Sequence, residues 1–232
     1  MSPVAVLIPA AGLSSRFGSN KLHATLLGQS VLLRTVRAFL SHPATANIVL
    51  ATPVGRPPRD TLPADLLAIL DEYPRIRLVE GGPTRAHSVR RALEASMDLD
   101  WVAVHDAARP LVSLDLIDRL YEHADTHGTA VPALPVKLTV KEARGPLPAP
   151  VFRTLPRADL WEMQTPQVIR RVNLVAAYAR CWQSLETITD DAQLLEVAGQ
   201  RVWLVPGEER NLKLTTAADL HLAERLLGEG AA

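Results

Sequence analysis

An apolar, mostly β-branched run lies near the amino terminus, Val4-Ala5-Val6-Leu7-Ile8, and passes directly into Pro9-Ala10-Ala11-Gly12. Such a continuous apolar run is typical of a parallel strand that is buried on both faces. A secretory signal would carry a positively charged region before its apolar core, and no basic residue precedes this run. We therefore interpret residues 4–8 as the first strand of the fold.

Short apolar runs of this kind recur along the chain and alternate with segments of helical periodicity. The predicted strands are Val4–Ile8, Ile48–Ala51, Ile76–Val79, Trp101–His105, Thr129–Leu134 and Arg201–Val205. The predicted helices are Ser30–Leu40, Leu62–Leu70, Arg85–Met97, Ser113–His123, Arg170–Trp182, Asp190–Ala198 and one from Thr216. This alternation predicts an α/β fold, in which a Rossmann-like, mostly parallel sheet is flanked by helices.

Residues 135–160 interrupt the alternation with five prolines. Within this range, Val136–Val140 and Val151–Thr154 are predicted to pair as a hairpin. A hairpin outside the sheet has two faces to cover, so we interpret it as an arm that projects toward a partner. The sequence thus predicts a single domain, residues 1–232, with a β-arm at about 135–160 that mediates dimerisation.

The composition is that of an ordinary globular protein. Among 232 residues, 25 Lys and Arg balance 25 Asp and Glu, which argues against nucleic acid or an anionic membrane as partner. No apolar run approaches the roughly 18 to 20 residues of a membrane helix. Cys181 is the one cysteine, which excludes an internal disulfide and fits a reducing compartment. We expect a soluble, cytoplasmic protein.

The loop after the first strand is suited to an anion. It reads PAAGLSSRFGSNK over residues 9–21, and its small residues let backbone N–H groups curl around a phosphate. Arg16 and Lys21 add two positive charges, so a triphosphate is the expected ligand. The spacing fits neither the dinucleotide-binding nor the P-loop glycine pattern. The alternative is a surface loop with solvated charges.

A second loop follows the strand at Trp101–His105 and carries Asp106 and Arg109. The carboxylate of Asp106 suits Mg²⁺, which prefers oxygen ligands and bridging phosphates. Arg109 is expected to hold a second phosphate bidentately. The alternative is that Asp106 caps the next helix and pairs with Arg109. Together the two loops predict a metal-dependent site for two phosphorylated ligands.

Two further segments have the same placement. Residues 81–88, GGPTRAHS, follow a strand and open a helix, where backbone N–H groups are available to a base edge. Residues 211–216, NLKLTT, bring Lys213 and precede the last helix. Either segment alone is typical of a turn.

These segments, in this order, resemble the 2-C-methyl-D-erythritol 4-phosphate cytidylyltransferase family. The motifs that carry the resemblance are PAAGxSxRFG…K (9–21), GGxxRxxSV (81–89), VHDAARP (104–110), TPQ (165–167), TDDA (189–192) and NLKLT (211–215). The resemblance implies that CTP reacts with methylerythritol 4-phosphate to give the cytidine-diphospho alcohol and pyrophosphate. It also implies a homodimer in which the arm crosses to the partner subunit.

The resemblance assigns roles to individual positions. Arg16, Lys21 and Lys213 correspond to cations on the CTP phosphates. Positions near the nucleoside and metal are Ala10, Ala11, Gly12, Gly82, Ser88, Asp106 and Ala107, with Mg²⁺ expected at Asp106. The grip on the acceptor phosphate corresponds to Arg109, Thr139 and Arg157.

The sequence departs from the family pattern at Leu22, Pro83 and Leu138. Leu138 stands where an aspartate is common, so a cytidylyltransferase for another acceptor, such as ribitol 5-phosphate, remains open. A catalytically silent nucleotide-binding protein is a third hypothesis, against which the retained charged residues count.

Other motifs have simpler interpretations. His123 and His127 have the spacing of zinc ligands, but no third ligand is evident and a solvated helix end is expected. Cys181 is expected to pack rather than react. Asp190 and Asp191 stand at a helix start and are expected to cap it, with a supporting role near the active site implied by the resemblance.

Overall fold

The computed structural model describes residues 2–12, 20–181 and 185–229 of the chain. The strands of the described part are β1 (Val4–Pro9), β2 (Thr25–Leu26), β3 (Gln29–Ser30), β4 (Thr45–Thr52), β5 (Ile76–Glu80), β6 (Trp101–Val104), β7 (Thr129–Pro135), β8 (Lys141–Ala143), β9 (Val151–Thr154), β10 (Trp161–Met163), β11 (Gln167–Arg170) and β12 (Leu204–Pro206). Its helices are α1 (Val31–Leu40), α2 (Ala64–Leu67), α3 (Arg85–Ala95), α4 (Leu114–His127), α5 (Arg171–Cys181), α6 (Asp191–Val197) and α7 (Ala217–Glu229).

The main sheet has eight strands, in the order β10-β7-β11-β6-β1-β4-β5, and β12 pairs with β7. Strands β6, β1, β4 and β5 run parallel to one another, as do β12 and β7. Strand β11 runs antiparallel between β6 and β7. The predicted fold class, a mostly parallel sheet flanked by helices, is confirmed.

The core lies on both faces of this sheet, as the alternation along β1 illustrates. Val6 and Ile8 point to the face covered by α1, α4 and α7, where Phe39 is fully buried. Leu7 points to the other face, which is covered by α3, α5 and α6. Successive side chains of a strand point to opposite faces, so a strand between two helical layers must be apolar throughout.

The parallel strands bring four loops to one edge of the sheet. The carboxyl ends of β1, β4, β5 and β6 lie side by side, so the segments that follow them meet there. Ligands of open α/β sheets bind at this edge. The loops after residues 9, 80 and 104 are the three that the sequence singled out.

Several elements differ from the sequence prediction. The sequence predicts no strand at β2, β3, β10 or β11, and it predicts a strand at Arg201–Val205 where β12 spans Leu204–Pro206. The predicted helix Leu62–Leu70 was wrong: only the single turn of α2 forms, between 3₁₀ turns at Pro58–Thr61 and Leu70–Glu72. Pro63 disfavours helical geometry in the residue before it, and Leu62 is extended, with φ −93° and ψ 151°.

The hairpin within residues 135–160 also has a different register from the predicted one. Strand β9 pairs with β8 rather than with Val136–Val140. The Val136 N–H instead donates to the Leu160 carbonyl, which extends the pairing of β7 with β10. Opposite charges then face each other across the hairpin, with Arg153 Nε 2.6 Å from Glu142 Oε2. The hairpin is exposed in the single chain.

No helix in the described ranges is long and apolar enough to cross a membrane.

Candidate active site

A cleft of about 600 Å³ opens at the carboxyl edge of the sheet. Its walls come from the loops after β1, β4, β5 and β6 and from the segment before α7. Nine of the predicted site residues line it, namely Ala10, Ala11, Gly12, Lys21, Gly82, Ser88, Asp106, Ala107 and Lys213. The structure therefore brings together residues that the sequence spreads over most of the chain.

One wall of the cleft is a tightly packed backbone turn at Gly81 and Gly82. A Cβ on Gly82 would lie 2.3 Å from His87 Cβ, and one on Gly81 would lie 2.7 Å from Ala11 Cβ. The Gly82 N–H donates to Ser88 Oγ, 3.0 Å away. Only glycine fits this turn, because the backbone approaches the start of α3 too closely for a side chain.

The floor of the cleft carries Asp106, whose two oxygens are held by two cations. Arg85 Nε lies 2.9 Å from Oδ1, and Lys213 Nζ lies 2.7 Å from Oδ2. Arg109 Nε is more distant, 3.9 Å from Oδ2. Burial opposes the charge on Asp106, but Arg85, Lys213 and Arg109 outweigh it and hold the pKa of this carboxyl well below its usual range. Asp106 is therefore a permanent anion.

The backbone of Asp106 is fixed by a buried hydrogen-bond chain. His105 Nε2 donates to the Arg109 carbonyl at 3.0 Å, so Nδ1 is the acceptor of this neutral imidazole. The Thr165 hydroxyl donates to Nδ1 at 3.1 Å and accepts from the Asp106 N–H at 3.0 Å. Burial lowers the pKa of His105 to about 4, which keeps the ring neutral.

Lys213 is positioned by the segment around it. The Leu214 N–H donates to the Ala108 carbonyl at 2.8 Å, and Asn211 Nδ2 donates to the Thr165 carbonyl at 2.8 Å. These bonds dock residues 211–214 against the Asp106 loop. Residues from opposite halves of the chain thus meet as one ion cluster.

Arg85 is a site residue to which the sequence analysis gave no role. Besides contacting Asp106, its Nη1 lies 2.8 Å from Oδ2 of the buried Asp191. Burial opposes the charge of Arg85, but Asp191 and Asp106 outweigh this and raise the pKa of the guanidinium. Its place in the GGxxRxxSV motif, at the first turn of a helix that follows a strand, was the available signal.

Comparison with known proteins agrees with this geometry. The family model described as 2-C-methyl-D-erythritol 4-phosphate cytidylyltransferase, IspD, matches residues 4–229. The chain belongs to the IspD family. A relative from Bacillus velezensis that bears the same enzyme name is 40% identical, over 96% of this chain and 94% of its own.

Other IspD relatives are longer. Bifunctional IspD/IspF enzymes from Rhodospirillum rubrum and Desulfotalea psychrophila are 42% and 40% identical to this chain. The chain spans 59% and 57% of their respective lengths.

Solved IspD structures share the fold. The Thermus thermophilus cytidylyltransferase matches with a TM-score of 0.77 and 37% identity, covering 96% of this chain and 97% of that one. The Francisella tularensis IspD matches with a TM-score of 0.81 and 32% identity, covering 97% and 99%.

The other four predicted site residues are Arg16, Arg109, Thr139 and Arg157. Arg16 lies outside the described residues, and the other three do not line the cleft. Thr139 and Arg157 are exposed near the hairpin, and Arg157 Nη1 donates to the Lys137 carbonyl. Arg109 is buried behind Asp106, where Nη1 donates to the Asn211 carbonyl and Nη2 to the Met163 carbonyl. Their contact with an acceptor phosphate stays a prediction.

The donor set for a metal in this IspD chain is sparse. Asp106 is the single carboxylate among the described residues that line the cleft. No group of three or more His, Cys, Asp and Glu side chains within those residues is arranged to hold a metal ion. Mg²⁺ commonly takes one or two protein carboxylates and fills its shell with phosphate oxygens and water. Asp106 fits that mode of binding.

The remaining motifs have structural roles. His123 stacks on His127, and His127 stacks on Trp203 with ring centroids 4.1 Å apart. Cys181 is buried. Asp190 caps α6, accepting from the Gln193 N–H at 2.8 Å, as expected.

Proposed function

We propose that this chain transfers the cytidylyl group of CTP to 2-C-methyl-D-erythritol 4-phosphate, in non-mevalonate isoprenoid biosynthesis. The products are 4-diphosphocytidyl-2-C-methyl-D-erythritol and pyrophosphate. The observation that carries the proposal is the pairing of Lys213 with Asp106 in the cleft of an IspD-family fold. The proposed location of the reaction is the cytoplasm.

The chemistry requires cations more than it requires a base. A phosphate oxygen of the acceptor attacks the α-phosphorus of CTP in line. The bond between this phosphorus and the oxygen that bridges it to the β-phosphate breaks. Pyrophosphate leaves with the electron pair. The acceptor is already an anionic nucleophile, so the obstacles are repulsion between anions and growing charge in the transition state. Lys21, Lys213 and Arg16 are the groups proposed to offset both.

The nucleoside half of CTP is proposed to lie against the glycine wall. Gly82 and Ser88 offer a close backbone surface on that side, while Ala10 and Ala11 flank it after β1. Pro83 has no N–H, so the donors available to a base here come from its neighbours. Asp106 and Ala107 line the part of the cleft next to Lys213.

Mg²⁺ is proposed as the cofactor, with Asp106 as its protein ligand. When bound, the ion would neutralise phosphate charge and fix the geometry of the triphosphate. Both Asp106 oxygens already face cations, so Asp106 cannot be its main source of charge compensation. The phosphates of CTP are the expected remaining ligands, together with water.

The acceptor half of the site is proposed to be completed by a second copy of the chain. Arg157 is the residue proposed to reach the partner's site, in a homodimer formed through the arm, and Thr139 is proposed to help hold the acceptor phosphate. The arm exposes large apolar side chains, including Phe152 at 53%, Val151 at 57% and Leu147 at 82%. Exposed apolar groups on a hairpin are suited to burial against a partner.

The deciding experiment is pyrophosphate release from CTP and Mg²⁺, with methylerythritol 4-phosphate and ribitol 5-phosphate offered in separate reactions. We expect release with methylerythritol 4-phosphate. Release with ribitol 5-phosphate alone would show that the acceptor pocket differs around Leu138. Silence with both, while CTP still binds, would contradict the proposed acceptor and favour a non-catalytic role.

A further inference from the structure

Arg85 contacts two buried carboxylates and still has an unused donor. Its Nε donates to Asp106 Oδ1 at 2.9 Å, and its Nη1 lies 2.8 Å from Asp191 Oδ2 in an ion pair that lacks hydrogen-bond alignment. Its Nη2 is buried and has no hydrogen-bond partner in the described part of the chain. Guanidinium groups readily bind both oxygens of a single carboxylate. Arg85 therefore has the capacity to take both oxygens of Asp106.

The second oxygen of Asp106 is instead occupied by Lys213. Its Nζ lies 2.7 Å from Oδ2, and its side chain is 42% exposed toward the cleft. Two-point binding of Asp106 by Arg85 would bring a second cation onto Oδ2, where its repulsion of the ammonium would weaken the pairing with Lys213. The observed arrangement gives Oδ1 to one cation and Oδ2 to the other.

Asp191 is held in place from the sheet. It is the first residue of α6. The side-chain amide of Gln167 binds this end of the helix, because it donates to Asp190 Oδ2 at 2.9 Å and accepts from the Ala192 N–H at 2.8 Å. Gln167 pairs with Val104 in the strand that leads directly to Asp106. Asp191 and Asp106 are thus both positioned from the end of β6, and both contact Arg85.

We infer that Asp191 is a positioning residue that keeps Arg85 from binding both oxygens of Asp106, and so reserves Oδ2 for Lys213. Asp191 is buried and does not line the described part of the cleft, so its influence on the reaction passes through Arg85. The inference rests on the proposed function, in which Lys213 is a cation on the CTP phosphates.

The first test is Asp191→Asn, which keeps the shape of the side chain and removes its charge. We expect kcat to fall roughly 10- to 100-fold through misplacement of Lys213, with KM for CTP changed less than about twofold. Asp191→Glu retains the carboxylate and should restore most of the rate. Glu196→Gln removes an exposed carboxylate from the same helix and should leave kcat unchanged.

The second test removes the capacity of Arg85 for two-point binding. Arg85→Lys has one ammonium, which lacks the planar fork. In the Arg85→Lys background, Asp191→Asn should change kcat less than about twofold, because lysine cannot bind both oxygens of Asp106 in the first place. Arg90→Lys, on the exposed side of α3, is the matched control. If the fold-decreases in kcat of Asp191→Asn and Arg85→Lys multiply in the double variant, the two residues act independently and the inference is overturned. An unchanged kcat in Asp191→Asn alone would also overturn it.

A third readout needs neither turnover nor CTP. Reductive methylation reports how accessible the Lys213 amine is, and the ion pair with Asp106 shields this amine from the reagent. Methylation of Lys213, measured by peptide mass spectrometry on protein whose thermal unfolding is intact, should be faster in Asp191→Asn than in the wild type. Equal rates would overturn the inference even if the wild type proved inactive. An inactive wild type with faster labelling of the variant would refute only the proposed function.

Discussion

Lys213 and Asp106 form a direct ion pair in the lining of the cleft, with Nζ 2.7 Å from Oδ2. They come from opposite halves of the chain, and the contact forms because residues 211–214 dock on the loop after β6. The Lys213 ammonium is thereby aimed at the place where a triphosphate is proposed to bind.

Replacing Lys213 with alanine should abolish most of the activity and leave the fold intact. The side chain is 42% exposed, so truncating it leaves no cavity. Losing one cation that stabilises the transition state typically costs about 10²–10³ in rate. Pyrophosphate release and thermal unfolding, measured on the same preparation, test both halves of this expectation. Near-normal turnover would remove Lys213 from the mechanism.

Gly82→Ala should weaken CTP binding more than it lowers stability. The added methyl would lie 2.3 Å from His87 Cβ, so the loop must move away from α3 and disturb the cleft wall. We expect KM for CTP to rise about tenfold, which corresponds to about 1.4 kcal/mol. The matched control is Gly228→Ala in α7, where an added Cβ meets nothing within 4 Å. Equal KM values for Gly82→Ala and wild type would show that the close packing of Gly82 on His87 has no part in CTP binding.

The neutral state of His105 makes stability depend on pH. Its pKa is lowered to about 4 in the folded chain, since burial disfavours the imidazolium. The unfolded chain binds a proton near pH 6.5 and the folded chain does not, so stability is full above about pH 6.5 and falls as the pH drops toward 4. The free energy of unfolding should fall by up to about 3 kcal/mol over this window.

Urea denaturation of wild type and His105→Gln at about pH 7 and pH 4.5 isolates this effect. Glutamine is neutral at both pH values, so the variant should lose less stability on acidification than the wild type. Burial also raises the pKa of Asp191, but that group is present in both proteins and cancels from the difference. An equal loss in both proteins would show that His105 does not titrate in this range.

The sequence predicted those parts of the site that follow directly from strand ends. Ala10 and Asp106 each come just after a buried apolar strand, Gly82 comes just after the half-exposed strand β5, and parallel strands bring such positions to one edge. The contact of Arg85 with Asp191 was not predictable in this way. It depends on β11, a four-residue strand too short to show a clear alternation, which anchors the start of α6 beside α3.

The arm, too, was predicted only in part. The prolines and the two segments Val136–Val140 and Val151–Thr154 indicated a hairpin, but its register depends on how far β7 pairs with β10, which local sequence does not report. Arg109 illustrates a second difficulty. The motif around it predicts a phosphate ligand, which stays a prediction, and it did not indicate that the guanidinium donates to the carbonyls of Asn211 and Met163.

A complementation experiment tests whether the acceptor site is shared between two copies. Lys213→Ala removes a residue of the cleft itself, and Arg157→Ala removes one proposed to reach the partner's site. Each variant alone should be nearly inactive. If Arg157 acts in the partner's cleft, a mixed dimer places both lesions in one site and leaves the other site intact. Unfolding and refolding the two variants together in equal amounts should then form mixed dimers in about half of the assemblies.

Activity should therefore recover to about a quarter of the wild-type value, since half of the dimers carry one working site of two. Lys213→Ala mixed with a second cleft variant, Lys21→Ala, is the matched control. Both of its lesions act within the cleft of the subunit that carries them, so each site of that mixed dimer keeps one lesion. Recovery in the control, or none with Arg157→Ala while light scattering shows a dimer, would contradict an Arg157 that crosses between subunits. A monomer at all concentrations would contradict the arm as a dimer interface.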